Sequence, residues 1–197
     1  DPSISAVLLV TPPDAREPIV EKLAAAGKAI LMEKPVERTT PAALRIVETC
    51  ERAGVPLGIV FQFRFREGSE RLARMIADGA LGRLAAVQLT VPWWRPQAYY
   101  DAPGRGTLAR DGGGVLISQA IHALDLMLSL TGPVASVTAL AATTAMHRME
   151  TEDLVAAGLT FANGAVGGLI ATTAAFPGRP ERLVLTGTLG TATLEAG

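Results

Sequence analysis

The sequence predicts two unlike halves. Residues 1–63 form an α/β segment with a parallel, doubly wound sheet, and residues 64–197 form an α+β segment on an open, mostly antiparallel sheet. Three observations predict this. Short apolar runs alternate with helical patterns through the first half, and strand–helix alternation with short loops calls for parallel pairing and right-handed crossovers. After Arg64 the order changes to a helix, a strand, a long connection and a second helix, and then a run of strands. Between two of those strands stands Asn163-Gly164, a dipeptide whose tolerance of positive φ suits a two-residue hairpin. There is no internal repeat and no low-complexity stretch.

Each element has its own signal. Ile4 to Val10 is a continuous apolar run, the pattern of a strand covered on both faces. A helix follows over Glu17 to Ala26 and stops at Gly27, a C-cap residue. Lys28 to Glu33 is the second strand. Thr40 caps a helix with Pro41 in its first turn, and Gly54 ends it. Leu57 to Phe63 is the third strand. In the second half, Ser69 to Asp78 is helical and closes at Gly79, and Leu84 to Pro92 alternates like a half-exposed strand. Trp93 to Gly112 then runs for about twenty residues without periodicity, and loops that long inside a compact unit are usually functional. Val115 to Leu130 reads as a buried helix, apolar on almost every side. Strands follow at Val134 to Ala145, Asp153 to Phe161, Ala165 to Thr173, Arg182 to Thr186 and Thr191 to Glu195.

Composition narrows the function. With 49% hydrophobic and 19% charged residues the chain is no disordered tail. A formal net charge of -1 argues against nucleic acid or an anionic membrane as partner and for a small substrate. The single cysteine, Cys50, cannot form an internal disulfide and fits a helix core in a reducing, cytoplasmic setting. No apolar run nears the roughly 20 residues that a spanning helix needs. The chain starts at Asp1 and enters a buried-type strand at once, which predicts a fragment.

Chemistry can sit at few places. Gly104-Arg105-Gly106-Thr107-Leu108-Ala109 spells a phosphate-loop pattern, but no strand precedes it, so the physics of that motif is missing. Gly112-Gly113-Gly114 opens the buried helix, either as a close approach to a ligand or as a flexible entry. On that helix Ser118, His122, Asp125 and Ser129 share one face at i, i+4, i+7 spacing. Buried polar groups need partners, so His122 is either an acid/base group or a satisfied core histidine; it is the better of only two histidines. Thr11-Pro12-Pro13, Glu33-Lys34-Pro35 and Gln62-Phe63-Arg64 mark the carboxyl ends of the three parallel strands, where such sheets bind ligands. Lys34 there can hold an anion or a developing alkoxide, or be a solvated lysine. Trp93, Trp94, Arg95, Tyr99 and Tyr100 suit a sugar ring or a cofactor phosphate, or pack as a lid. One cysteine and two histidines are too few for a metal site.

These pieces in this order resemble the Gfo/Idh/MocA oxidoreductase family. The points of likeness are Ala6-Val7-Leu8-Leu9-Val10-Thr11-Pro12, Glu33-Lys34-Pro35, Gln62-Phe63-Arg64-Phe65, Asp78-Gly79-Ala80-Leu81-Gly82, Gly112 to Asp125, Glu152-Asp153 and Phe161-Ala162-Asn163-Gly164. The resemblance implies part of a Rossmann-type dinucleotide domain over 1–63 and a substrate and oligomerisation domain over 64–197. It implies NAD or NADP as cofactor and a sugar, sugar derivative or polyol as substrate, with Lys34 and His122 catalytic. Thr11, Pro12, Glu33, Lys34, Pro35 and Gln62 would lie at the nicotinamide end, with Arg95 also on the cofactor. Lys34, Ser118, Gln119, His122 and Tyr99 would line the substrate. It further implies a glycine loop before Asp1, more sheet after Gly197, and a homo-oligomer. The alternatives are an NAD-dependent glycosidase and a non-catalytic binding relative. Where many relatives carry Asp one turn before the histidine, this chain has Ser118, which cannot pair with an imidazolium.

Overall fold

The computed structural model describes residues 1–195. Strands β1 (Ala6–Leu9), β2 (Ala29–Met32) and β3 (Leu57–Ile59) form a parallel sheet in the order β1-β2-β3. Helices α1 (Glu17–Ala25) and α2 (Thr40–Ala53) pack on each other and on one face of it, closing a core of Leu9, Val20, Ile30, Met32, Ile46 and Cys50. Burial raises the Cys50 thiol pKa, as expected of a packed cysteine rather than a reactive one. Three expectations need correction here. The first strand is not covered on both faces: Leu8 and Leu31 point away from the helices and are exposed. The cap of α2 is Thr39, whose extended backbone lets its hydroxyl accept from the Ala42 amide; Thr40 is already helical. The third strand is short, because after Val60 the chain turns into a 3-10 helix at Gln62–Phe65. That turn carries Phe63 out of the first core and into the second, where it is buried.

The second sheet has the order β5-β6-β7-β4-β8-β9: β5 (Val134–Ala142), β6 (Leu154–Phe161), β7 (Val166–Thr172), β4 (Leu84–Pro92), β8 (Arg182–Gly187) and β9 (Thr191–Glu195). Only β4 and β7 run parallel; every other pair is antiparallel. Asn163-Gly164 makes the β6–β7 turn, with Gly164 at φ 87°. Helices α3 (Glu67–Ala77) and α6 (Ile121–Thr131) cover one face, over a core that includes Leu72, Val87, Leu89, Leu126, Met127, Phe161 and Leu185. The other face is open, with Leu140, Val166 and Ile170 exposed.

The long connection after β4 is more ordered than its sequence suggests. It contains α4 (Gln97–Tyr100) and α5 (Leu108–Asp111). Beneath it His147 and Asp153 form a fully buried pair, Nδ1 to Oδ2 at 2.7 Å, and His147 Nε2 donates to the Arg95 carbonyl at 2.8 Å. The expected regular helix from Val115 begins instead with a π-helical turn, Leu116–Ala120, before α6. Counted together, the segment Leu108–Thr131, which bends at Gly112–Gly114, is long and apolar enough to cross a membrane by length and composition, longer than the sequence led one to expect. Its apolar side lies in the core.

Candidate active site

At the carboxyl ends of the parallel strands the main fixed point is Arg16, at the start of α1 and only 2% exposed. Its guanidinium donates to the Thr11 carbonyl at 3.0 and 2.8 Å and to the carbonyls of Glu33 and Pro35. One side chain thus ties the end of β1 to the turn that carries Lys34. Desolvation lowers the Arg16 pKa, with Glu33 and Glu37 opposing. Lys34 is half-buried and reaches across to the second unit, where Nζ donates to the Ser118 carbonyl at 2.8 Å. Burial lowers its pKa, Glu33 opposes, and the positive charges of Arg105 and Arg16 lower it further.

The helix on the other side is placed by close backbone packing. A Cβ on Gly114 would meet the Glu152 carbonyl oxygen at 1.8 Å, and one on Gly112, at φ 78°, would meet Arg38 Cα at 2.7 Å. These glycines are a tight fit, not a flexible entry. Glu152 completes the seat: its carboxylate accepts from the amides of Gly114 (2.9 Å) and Leu116 (3.3 Å), and its carbonyl from Val115 (2.9 Å). The helix start is therefore occupied by a carboxylate of this chain.

His122 is buried, stacked on Phe63 (ring centres 5.1 Å apart) with Phe61 edge-on at 6.1 Å. Its Nδ1 is buried with no hydrogen-bond partner. Burial lowers its pKa below the ordinary 6.5, the Lys34 charge lowers it further, and Glu33 opposes. The polar stripe read along this helix is not one surface. Ser118 Oγ lies within hydrogen-bond distance of two acceptors, the Gly114 carbonyl at 2.5 Å and the Gln119 side-chain oxygen, and its single proton serves one of them. Asp125 is taken by Arg64 in a two-pronged pair at 2.6 and 2.5 Å. Ser129 is exposed and bonds the Leu126 carbonyl. No carboxylate pairs with His122 among the described residues.

Gln119 is buried and its amide nitrogen lies 3.4 Å from the Tyr99 hydroxyl, which joins the aromatic connection to this cleft. Arg95 stays on that connection, near the rings of Trp93 and Tyr99. Of the strand-end residues, Pro12 and Gln62 are exposed, and Thr11 is half-buried with its hydroxyl unpartnered. Glu33 accepts from the Lys34 amide at 3.2 Å, and Pro35 supplies a carbonyl to Arg16. The structure thus brings Lys34, Ser118, Gln119 and Tyr99 into one chain of contacts, with His122 one turn further along the helix, where the Lys34 charge acts on it. Sequence reasoning missed Arg16, and it marked Glu152 only as a point of likeness without a role. A lone arginine beside a helix start reads as solvated, and no local signal separates it from one.

The arrangement has known counterparts. Residues 69–193 match the family description GFO/IDH/MocA C-terminal domain, and residues 1–61 match Oxidoreductase family, NAD-binding Rossmann fold. The chain belongs to the Gfo/Idh/MocA oxidoreductase family. Among curated relatives it is similar to a D-apiose dehydrogenase of Paraburkholderia graminis, 33% identical over 131 residues, 64% of this chain and 32% of that protein. It is likewise similar to an inositol 2-dehydrogenase of Rhizobium meliloti, 31% identical over 141 residues, 71% of this chain and 40% of that protein. The WlbA dehydrogenase from Bordetella pertussis, solved in complex with NADH and UDP-GlcNAcA, superposes with a TM-score of 0.91 at 35% identity, covering 98% of this chain and 59% of that one. The chain therefore spans about a third to three-fifths of the length of these relatives.

The residues present fit a dinucleotide such as the NAD that this domain family binds. Lys34 Nζ uses one of its three N–H groups, and the Gln62 amide has no partner among the described residues. Both stand where doubly wound sheets take their ligands, and both suit a carboxamide or ribose hydroxyls.

Proposed function

We propose that this oxidoreductase is an NAD(P)-dependent dehydrogenase or reductase that acts on a secondary hydroxyl of a sugar, sugar derivative or polyol. The carrying observation is the contact of Lys34 Nζ with the Ser118 carbonyl, which seats the ammonium beside the helix turn that holds His122. Thr11, Pro12, Glu33, Lys34, Pro35 and Gln62 would hold the nicotinamide end of the cofactor. When bound, the nicotinamide supplies the redox chemistry. The protein's own work is to orient and to move a proton. The N–H groups left on Lys34 favour alkoxide-like charge on the reacting oxygen. Neutral His122 takes the hydroxyl proton; Nδ1 is sealed, so Nε2 is the ring nitrogen left to meet it. The apolar walls of Phe61 and Phe63 keep the imidazole uncharged until that step. Residues 1–63 would serve the cofactor and 64–197 the substrate.

The reading extends to a cytoplasmic homo-oligomer whose second copy covers the open sheet face at Leu140, Val166 and Ile170, since apolar patches of that kind mark contact surfaces. The test is turnover by the full protein that carries this chain, followed by NADH or NADPH absorbance over a panel of sugars, sugar acids and cyclitols. Net reduced cofactor, one per substrate oxidised, is expected. Glycosidic cleavage without net reduced cofactor would overturn the dehydrogenase reading.

A further inference from the structure

The connection that carries Tyr99 to the site has almost no core of its own. Among residues 93–112 only Tyr100 and Gly106 are buried. Apolar packing is too sparse to fix where this stretch lies, so polar ties must do it. They come from the turn 143–153 between β5 and β6. On the surface, the Gln97 side chain exchanges two hydrogen bonds with the Arg148 backbone, at 2.8 and 3.1 Å. The Gly106 carbonyl accepts from the amides of Glu150 and Thr151, both at 3.2 Å. His147 supplies a tie that water does not reach, since neither its side chain nor that of Asp153 has any exposure.

The His147 ring packs against Trp94 and Tyr100, with ring centres 5.7 and 4.8 Å away. Both of its nitrogens face acceptors: Nε2 lies 2.8 Å from the Arg95 carbonyl oxygen and Nδ1 2.7 Å from Asp153 Oδ2. A carbonyl only accepts, so Nε2 carries a hydrogen, and another lies on the line from Nδ1 to the carboxylate. Asp153 is itself fixed. Its carboxylate accepts from the Thr144 amide and hydroxyl, each at 2.8 Å, and its backbone bonds Ala142 and Thr173 at the ends of β5 and β7. The imidazole thus passes the position of these strand ends to one backbone carbonyl of the connection. Thr173 carries it further, accepting from the Arg95 amide at 2.9 Å and pairing through Oγ1 with the Tyr100 hydroxyl at 2.6 Å. Tyr99, the neighbour of Tyr100 in α4, then stands with its hydroxyl 3.4 Å from the Gln119 amide.

A histidine and a carboxylate sealed from water contribute little net stability, because their lost hydration offsets most of their attraction; apolar groups of the same volume often do as well. Apolar groups cannot, however, hold a carbonyl at a set hydrogen-bond length. We propose that His147 is a positioning residue of the active site, whose two ring N–H groups hold the connection against Asp153 and so set where the Tyr99 hydroxyl meets the substrate beside Gln119. This rests on the reading above of Tyr99 and Gln119 as substrate-lining groups. His147 itself touches neither substrate nor cofactor.

The test sets two substitutions in the full protein against cofactor-linked turnover and a crystal structure of each. The amide nitrogen of His147→Gln can stand where Nε2 stands, whereas that of His147→Asn reaches only the place of Nδ1. In His147→Asn the KM for sugar should rise about tenfold, the scale of one lost hydrogen bond, with kcat within about threefold and the KM for cofactor unchanged. His147→Gln should recover most of that loss. Tyr99 should be drawn away from Gln119 in the Asn structure and remain in place in the Gln structure. Adding His147→Asn to Tyr99→Phe should raise KM no further than Tyr99→Phe alone. A merely structural role would lower kcat with the active fraction and leave KM unchanged. That result, or Tyr99 unmoved in both structures, overturns the proposal, and cofactor-linked turnover then keeps the dehydrogenase reading. Should His147→Asn not fold, NMR of the unmodified protein decides: exchange-protected hydrogens on both His147 nitrogens are expected, and a bare Nε2 overturns the tie. Absence of cofactor-linked turnover in the unmodified protein removes the dehydrogenase reading and this role with it.

Discussion

Lys34 and His122 come near enough for one charge to act on the other, from two units that hold them differently. The turn with Lys34 hangs on a single buried guanidinium, with Arg16 bonded to the carbonyls of Thr11, Glu33 and Pro35. The helix with His122 is held by shape, its first turn pressed so closely on Glu152 that only glycine fits at 114. The first unit sets its turn with a polar clamp, three backbone carbonyls gathered on one guanidinium. The second rests its helix on a much larger core and can use backbone contact. Shape tolerates no added atom; a polar clamp tolerates a substitute that can still donate.

The largest effect expected is at the steric seat. Gly114→Ala should destabilise the protein by about 3 kcal/mol, since the new Cβ cannot coexist with the Glu152 carbonyl and the helix must shift. Denaturant unfolding measures it; a loss near zero would mean that the seat yields and the contrast is false. Arg16→Met should cost about the same or slightly less, roughly 1 kcal/mol for each carbonyl group left without its donor. Arg16→Lys should recover part of that loss, which no lysine or other residue could do at position 114. Equal losses for Met and Lys would make the guanidinium a packing element instead of a clamp.

Lys34→Ala sharpens the comparison by separating the clamp from what it holds. In the full protein, kcat should fall about 100-fold, a usual scale for one positioned donor, with stability nearly unchanged because Arg16 and not Lys34 fixes the turn. Near-normal kcat on the true substrate would remove Lys34 from the reaction. The smallest effect crosses between the units. The positive charge of Lys34 helps to lower the His122 pKa, so Lys34→Met should move the His122 titration upward, toward the ordinary 6.5. The sign follows for stability: the folded state resists protonation of His122, so stability present above the ordinary histidine range is lost as pH falls through it. Proton NMR can follow it with only two histidines in the chain; an unmoved titration would mean that the two side chains do not share a cleft.

What the sequence by itself determined was local. Apolar periodicity placed every strand and long helix, and glycine marked the ends at Gly27, Gly54 and Gly132, because these signals depend on a few neighbouring residues. It also singled out Lys34 and His122, through motif order and the scarcity of histidine. The tertiary structure alone decided what depends on distant partners. Whether an apolar strand is covered on one face or two depends on where the helices dock, so Leu8 and Leu31 could not be read as exposed. Whether the third strand runs to Phe63 depends on a second core that claims that ring. Asp125 belongs to Arg64 and not to His122, and Lys34 meets Ser118 across 84 residues of sequence. Hydrogen bonds and close packing act over a few ångströms of space, and a chain records only which residues are adjacent along it.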